Sequence, residues 1–222
     1  PDVRCTPVPR WDLVRVRDYV TMPVQFSRGC PFDCEFCDIV VMNGRVPRTK
    51  APAQVVRELE ALRAAGWRDR VFIVDDNFIG NRKRAKELLR ELIRWRERTA
   101  SGITFLTEAS VNLADDRELL ELMVRAGFKK VFLGLETPSL EGLAECGKRQ
   151  NCARDLREAT QILQRAGLEV MGGFIVGFDS DREDIFRRQF EFIQRSGVVT
   201  AMVGLLTALP QTALYRRLVR EG

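Results

Sequence analysis

The 222 residues allow one large domain or two small ones, and a hydrophobic content of 45% supplies a sizeable core. The formal charge is +5 and there is no histidine, which excludes a Ser-His-Asp triad, a papain-type Cys-His pair and a His-ligated zinc. Six cysteines are too few for a disulfide-stapled scaffold, and no apolar run reaches the roughly 18 residues of a membrane span.

Residues 1–25 lack the apolar core of a signal peptide, and cysteines without secretory context point to a reducing cytoplasm. The chain opens on Pro1 rather than Met and stops at Gly222 directly after a helical pattern, so an excerpt of a longer protein is expected. Residues 1–21 are a lead-in segment, in which Trp11 and Tyr19 suit either a cap on the domain or the wall of a substrate entrance. Met22–Phe26 is the first predicted strand.

From there one unit recurs: an amphipathic stretch, a glycine, then a short β-branched or aromatic run. The glycines are Gly66, Gly102, Gly127, Gly167 and Gly197, spaced by 36, 25, 40 and 30 residues. Helical periodicity precedes four of them: Val55, Val56, Leu59 and Leu62; Leu119, Leu120, Met123 and Val124; Leu156, Ala159, Ile162, Leu163 and Ala166; and Ile185, Phe186, Phe190 and Ile193. A glycine just past a helix can close its last turn in the left-handed conformation. Gly102 instead follows a short loop. Pro52 sits at an early helical position, and Asp115 precedes Glu118 by three in a capping-box arrangement. Phe186, Phe190 and Met123 are placed on helical core faces.

The runs after the glycines are Val71–Val74, Ile103–Leu106, Val131–Leu135, Val170–Val176 and Thr200–Leu206. Their near-continuous apolar character is that of strands buried on both faces. Connections of this length force parallel, right-handed crossovers. The fold class is therefore α/β, a partial (β/α)6 TIM-type barrel of parallel strands, with residues 22–222 as one core domain and no internal linker.

Ligands of parallel α/β folds bind at the carboxyl ends of the strands, and those positions are polar in this sequence. They carry Ser27 through Cys37 after the first strand, then Asp75, Asp76 and Asn77, then Thr107 through Ser110, then Glu136 and Thr137, then Asp179 through Asp181. The spacing Cys30-x3-Cys34-x2-Cys37 brings three sulfurs into one short loop that Gly29 lets turn tightly. A structural zinc wants four ligands, and a thioredoxin-like dithiol would leave Cys30 idle. Three thiolates on an iron–sulfur cube leave one iron open for a ligand. Cys5, Cys146 and Cys152 are scattered and read as incidental or buried thiols. One predicted helix carries Arg82, Lys83, Arg84, Lys86, Arg90, Arg94, Arg96 and Arg98, either a solvated outer face or an RNA-binding stripe.

The cysteine triplet directly after a first strand, with Phe36 before its last cysteine, resembles the signature of the radical S-adenosylmethionine (SAM) superfamily. The likeness extends over the whole chain. It implies a [4Fe–4S] cluster on Cys30, Cys34 and Cys37, with SAM on the fourth iron and cleaved reductively to a 5′-deoxyadenosyl radical. It also implies SAM contacts from Phe36 (adenine), Asp76 and Asn77 (where many members have Gly-Gly-Glu), Glu108 and Glu136 (ribose and methionyl parts), and Lys148 or its neighbour Arg149 (carboxylate). The Gly173–Gly177 segment resembles one whose backbone meets adenine, which brings in Ile175 and Gly177. The acidic residue usual three positions later is Ser180 here, flanked by Asp179 and Asp181.

Asp75-Asp76-Asn77-Phe78, Gly134-Leu135-Glu136-Thr137-Pro138 and Leu209-Pro210-Gln211-Thr212-Ala213-Leu214-Tyr215 are similar to cobalamin-linked radical SAM proteins, a group that includes hopanoid methylases. That resemblance implies methyl transfer to a small-molecule or lipid substrate, cobalamin held by a domain outside this chain, and an electron donor such as flavodoxin or ferredoxin. No nucleic-acid partner is expected. The competing readings are a radical SAM modifier of RNA, such as a tRNA methylthiotransferase, and a non-catalytic metal-binding module.

Overall fold

The computed structural model describes residues 2–222. Three 3₁₀ turns, Val3–Cys5, Trp11–Leu13 and Val16–Asp18, lead into β1 (Met22–Val24). β2 (Ser27–Arg28) pairs antiparallel with β3 (Arg48–Thr49), pinching off the loop between them, which holds α1 (Ile39–Met42). There follow α2 (Pro52–Ala64), β4 (Val71–Ile73), α3 (Arg82–Thr99), β5 (Phe105–Ala109), α4 (Arg117–Ala126) and β6 (Phe128–Glu136). The last third comprises α5 (Leu140–Glu145), α6 (Arg149–Cys152), α7 (Leu156–Arg165), β7 (Glu169–Val176), α8 (Ile185–Ser196), β8 (Thr200–Leu205) and α9 (Ala213–Glu221).

The main sheet runs β1-β4-β5-β6-β7-β8, every neighbouring pair parallel. Strand order follows chain order without reversal, which is the partial (β/α)6 barrel expected. The two outer strands β1 and β8 do not pair with each other, so the wall stays open.

Burial along the strands alternates. In β4 and its extension, Val71, Ile73 and Asp75 are buried while Phe72, Val74 and Asp76 are half-buried. The same period holds in β5 and β7. This corrects the expectation of strands buried on both faces. Helices fill only the outward face, and the inward side chains look into the barrel, where the filling is incomplete. The outward core joins Val71, Ile73, Phe105, Val131, Leu133 and Val170 to Leu59 and Leu62 of α2, Leu88, Leu92 and Trp95 of α3, and Met123 of α4. Phe26, Phe78, Phe128 and Phe105 form a tilted aromatic chain with centroids 5.1–5.9 Å apart. Trp11 packs on this core from the lead-in segment, while Tyr19 is exposed.

β8 departs furthest from expectation, being exposed along its whole length because no strand among the described residues pairs with its outer edge. Phe186 and Phe190 are exposed, not core. The buried face of α8 is set by Ile185, Gln189 and Ser196, with Gln189 donating to the Glu136 and Ile175 carbonyls at 3.0 and 3.2 Å. Satisfying two buried carbonyls fixes the helix rotation and turns both phenylalanines outward.

At the helix ends, Pro52 opens α2, and Gly66, Gly127, Gly167 and Gly197 all adopt positive φ. The N-cap of α4 is Asp116, which accepts from the Leu119 amide, rather than Asp115, which pairs with Arg154. Gly102 has no left-handed role, because α3 ends at Thr99 and its C-cap Ala100 takes the left-handed conformation, with φ 45°. No helix of the described residues is long and apolar enough to cross a membrane.

A left-handed alanine is strained where glycine is not. Ala100→Gly should therefore stabilise the protein by about 1 kcal/mol, net of the extra chain entropy, raising the thermal midpoint by about 2–4 °C in a melt followed by circular dichroism.

Candidate active site

The cysteine loop is anchored before it begins. The Asp75 carboxylate, buried beneath the sheet end, accepts from the Phe26 amide at 2.8 Å and the Ser27 hydroxyl at 2.6 Å. Asp76 accepts from the Gly29 amide at 2.7 Å and from Asn43 at 3.1 Å. Gly29 has φ 101°, and a Cβ there would lie 2.9 Å from the Gly44 carbonyl oxygen. Only glycine lets the loop pass that close to the turn after α1. The Cys30 amide then donates to the Gly44 carbonyl, and Cys37 N–H to the Cys34 carbonyl.

Cys30, Cys34 and Cys37 line one cavity of about 450 Å³ with Phe32, Phe36, Asp76, Asn77, Glu108, Glu136 and Lys148. That volume falls within the range of small-molecule sites, roughly 300–1,000 Å³. Burial pushes the Cys37 thiol up to about 11 and raises Cys34 as well. Free thiols in this setting are neutral and poor nucleophiles, which argues against a dithiol redox motif. A metal centre supplies the positive charge that stabilises thiolates in such a place. Among the described residues no three His, Cys, Asp or Glu side chains draw close enough to hold a metal ion between them. A cube in which each sulfur binds a different iron suits three thiols spread around one concavity.

Asn77 is buried, its amide nitrogen 3.8 Å from Cys30 Sγ and 3.1 Å from Ser110 Oγ. Glu108 reaches the cavity from the end of β5, and no side-chain hydrogen bond or ion pair engages its carboxylate among the described residues. Burial, with the Asp76 charge adding to it, raises its titration. Glu136 stands after a register break in β6, in the left-handed region at φ 66°, and its buried carboxylate pairs with Lys148 Nζ. Gly134 makes room for that pair, since a Cβ there would collide with Glu136 Oε1 and lie 2.7 Å from Lys148 Nζ. Burial alone would lower the Lys148 ammonium, but the Glu136 carboxylate paired with it outweighs that and raises it. Of the two cations considered from sequence, Lys148 lines the cavity and Arg149 is exposed.

Phe72, Val74 and Phe132 make the apolar wall. Gly173 leaves space for Phe132, whose Cζ would lie 2.7 Å from a Cβ there. Ile175 and Gly177 are not among the lining residues. Ile175 has its carbonyl bound to Gln189, and the Gly177 and Phe178 amides both donate to Asp181. The sequence reading missed Gln150, which lines the cavity with its amide nitrogen 4.0 Å from Cys34 Sγ and its Oε1 buried without a partner. It also missed the wall residues. The period-2 pattern in β4 and β6 holds their signal, masked by apolar residues on both faces.

All six cysteines are free, and Cys146 is buried. The basic helix α3 is largely neutralised. Arg84 pairs with Glu87, Arg94 with Glu91, Lys86 with Asp116 and Glu118, Arg90 with Glu118, and Arg98 with Glu60. These pairs offset much of the positive charge that an RNA-binding stripe would present.

Comparison with known proteins agrees with this geometry. The model of the radical SAM superfamily matches residues 24–193. An uncharacterized methyltransferase of Synechocystis sp. is 51% identical over 222 residues, covering 100% of this chain and 41% of the relative. The hopanoid C-2 methylase of Rhodopseudomonas palustris is 40% identical over 221 residues, covering 100% and 42%. Among solved structures, the radical SAM methyltransferase TsrM of Kitasatospora setae, with cobalamin and a [4Fe–4S] cluster bound, matches with a TM-score of 0.80 at 19% identity. The match covers 90% of this chain and 37% of that one. That likeness shows the fold. The chain spans about two fifths of the length of the curated relatives it matches.

Burial is the main cause that raises Asp75 from 3.8 to about 6, opposed by its hydrogen bonds to Ser27 and Phe26. The folded state thus holds a proton that the unfolded chain has released. Its contribution to stability is full below the unfolded value and is lost as pH rises through the folded one. Urea unfolding between about pH 4 and pH 7 should show a loss of about 2 kcal/mol from this group. The Asp75→Asn protein should lack that slope, because its amide is neutral throughout and the Ser27 hydroxyl can rotate to accept from it.

Proposed function

The chain belongs to the radical SAM superfamily, and on that premise we propose that residues 22–222 are the core of a radical SAM methyltransferase acting on an apolar small molecule or lipid. The observation that carries the reading is a single cavity at the strand ends with three cysteines on one side, the Glu136–Lys148 pair on another, and an aromatic wall between. When bound, such a cluster and SAM supply one-electron reductive cleavage, giving a 5′-deoxyadenosyl radical that takes hydrogen from a substrate carbon.

The protein's own part is to bind, orient and exclude water. Cys30, Cys34 and Cys37 hold the cluster. Lys148 attracts the methionyl carboxylate, and Glu136 keeps that ammonium charged and aimed. Glu108, with no internal partner, is a free acceptor for two ribose hydroxyls, a role suited to a carboxylate. Phe36 stacks on the adenine. Asp76 spends one oxygen on the loop, and Asn77 donates toward the Cys30 sulfur. Both therefore act mainly by fixing the cysteine loop, with Asp76 also facing the ligand. Ile175 and Gly177 lie outside the cavity lining, with the Ile175 carbonyl accepting from Gln189 and the Gly177 amide donating to Asp181, so neither is assigned a ligand contact. Phe72, Val74 and Phe132 keep the reaction zone dry.

Methyl transfer is supported by the names of two relatives, a methyltransferase and a hopanoid methylase, and the second also favours a lipid-like substrate. We place cobalamin on a domain outside these residues, the protein in the cytoplasm, and the electron in the hands of a flavodoxin or ferredoxin.

Anaerobic reconstitution with iron and sulfide, followed by dithionite, should convert SAM to 5′-deoxyadenosine detectable by liquid chromatography. A fully loaded protein that never forms it would sink the reading. Replacing Cys30, Cys34 or Cys37 by Ala should abolish the brown cluster absorption. Glu136→Gln should leave that absorption in place and weaken SAM binding by about tenfold or more, as expected when a buried charge partner is lost.

A further inference from the structure

The closing Leu209–Tyr215 segment has no place in the site as described, yet it ends on the cysteine loop. Thr212, fully buried, caps α9 by accepting from the Tyr215 amide, and the Leu214 amide donates 2.9 Å to the carbonyl of Glu35. Glu35 lies between Cys34 and Cys37. One turn further along α9, Arg217 Nε donates to Glu35 Oε1 at 2.7 Å, and its Nη1 reaches Asp179 Oδ2 at 2.7 Å and Glu221 at 3.1 Å. The Glu35 amide in turn donates 2.9 Å to the Cys146 carbonyl. The neighbouring Glu145 carboxylate accepts from the amides of Asp179 and Ser180 at 2.9 and 3.0 Å.

These contacts close a ring: Glu35 to Arg217, Arg217 to Asp179, the Asp179 loop to Glu145, and Cys146 back to Glu35. It ties together the cysteine loop, the turn that carries Lys148, the loop after β7 and the C-terminal helix. We propose that Arg217 is a positioning residue for the metal centre, holding the Cys34–Cys37 segment in register with Lys148 through Glu35. The proposal rests on the reading that the three cysteines bind an iron–sulfur cluster. Arg217 touches neither cluster nor SAM and acts through the backbone between two ligands. Both Arg217 and Glu35 are about four-fifths buried, with side-chain exposures of 22% and 19%, so the pair is better shielded from water than a surface ion pair. Arginine suits the task because its planar fork sends Nε to Glu35 and Nη1 to Asp179 in fixed directions, where a lysine offers a single ammonium without that geometry.

The test compares the anaerobically reconstituted wild-type chain with Arg217→Met, Glu35→Gln, the double variant, Arg217→Lys and the control Glu221→Gln. Iron and sulfide content, the rate of iron loss to a strong chelator, the electron paramagnetic resonance (EPR) spectrum of the reduced cluster and the thermal midpoint are read on each. Loss of an outer partner of a metal ligand costs about 10–100-fold in metal retention, so Arg217→Met and Glu35→Gln should each release iron at least about tenfold faster. Their EPR g-values should shift, the double variant should be no worse than either single one, and Arg217→Lys should fall between. Glu221→Gln should match wild type.

Iron loss within about twofold of wild type in Arg217→Met and Glu35→Gln, additive effects in the double variant, or an equal effect of Glu221→Gln would overturn the proposal. If Arg217→Met fails to fold, Glu35→Gln and Arg217→Lys carry the same comparison. Wild-type protein that takes up no iron and sulfide would instead overturn the cluster reading itself.

Discussion

A strand in a parallel sheet has two faces, and the rest of this structure follows from filling only one of them. Helices packed outside the wall satisfy Val71, Ile73, Val131, Leu133 and Val170, and the right-handed connections leave no helix for the inside. The inward residues must then fill the barrel themselves or leave room for something else. In a closed barrel layers of branched side chains finish the job. Here Gly134 and Gly173 stand at inward positions, and the space beside them is taken by the Glu136–Lys148 pair and by Phe132. What is left over is the cavity, polar at the strand ends and aromatic below. The site is the unfilled part of the core.

Glu136 concentrates several unfavourable features in one place. Its residue is left-handed without being glycine, its strand skips a pairing position just before it, and its carboxylate is buried with an ammonium. A left-handed non-glycine backbone costs about 1–3 kcal/mol, and a buried ion pair gains little net stability over well-packed apolar side chains. Packing alone would not select this arrangement. Strain and desolvation held by a surrounding structure are expected where a ligand is to be met by a charge in fixed position. The bulge after Gly134 belongs to the same device, since bulges near active sites re-aim side chains.

Sheet order and helix placement were legible in the sequence because the strand-plus-helix unit repeats with a fixed punctuation, and four of the five glycines do close helices in the left-handed form. The cysteine loop was legible because its three cysteines are neighbours in the chain. What escaped depended on competition between neighbours. Asp115 and Asp116 both suit a cap, and Arg154, distant in sequence, takes the first and leaves the second for the helix. Phe186 and Phe190 fit an amphipathic pattern, but Gln189 has two buried carbonyls to satisfy and claims the inner face. Gln150 gives no signal beyond its distance of two from Lys148. Arg217 gives none at all, since its partner Glu35 lies 182 residues away.

β8 carries a further consequence. Its outer backbone edge is unpaired, and Met202, Val203 and Leu205 on it are more than half exposed, with Val199 just ahead of it. No lysine, proline or bulge blunts the strand, the usual defences against edge-to-edge association. Produced as these 222 residues alone, the chain offers a ready template for another copy's strand. Its solubility during purification then becomes a matter of concentration and time, set by an element far from the chemistry.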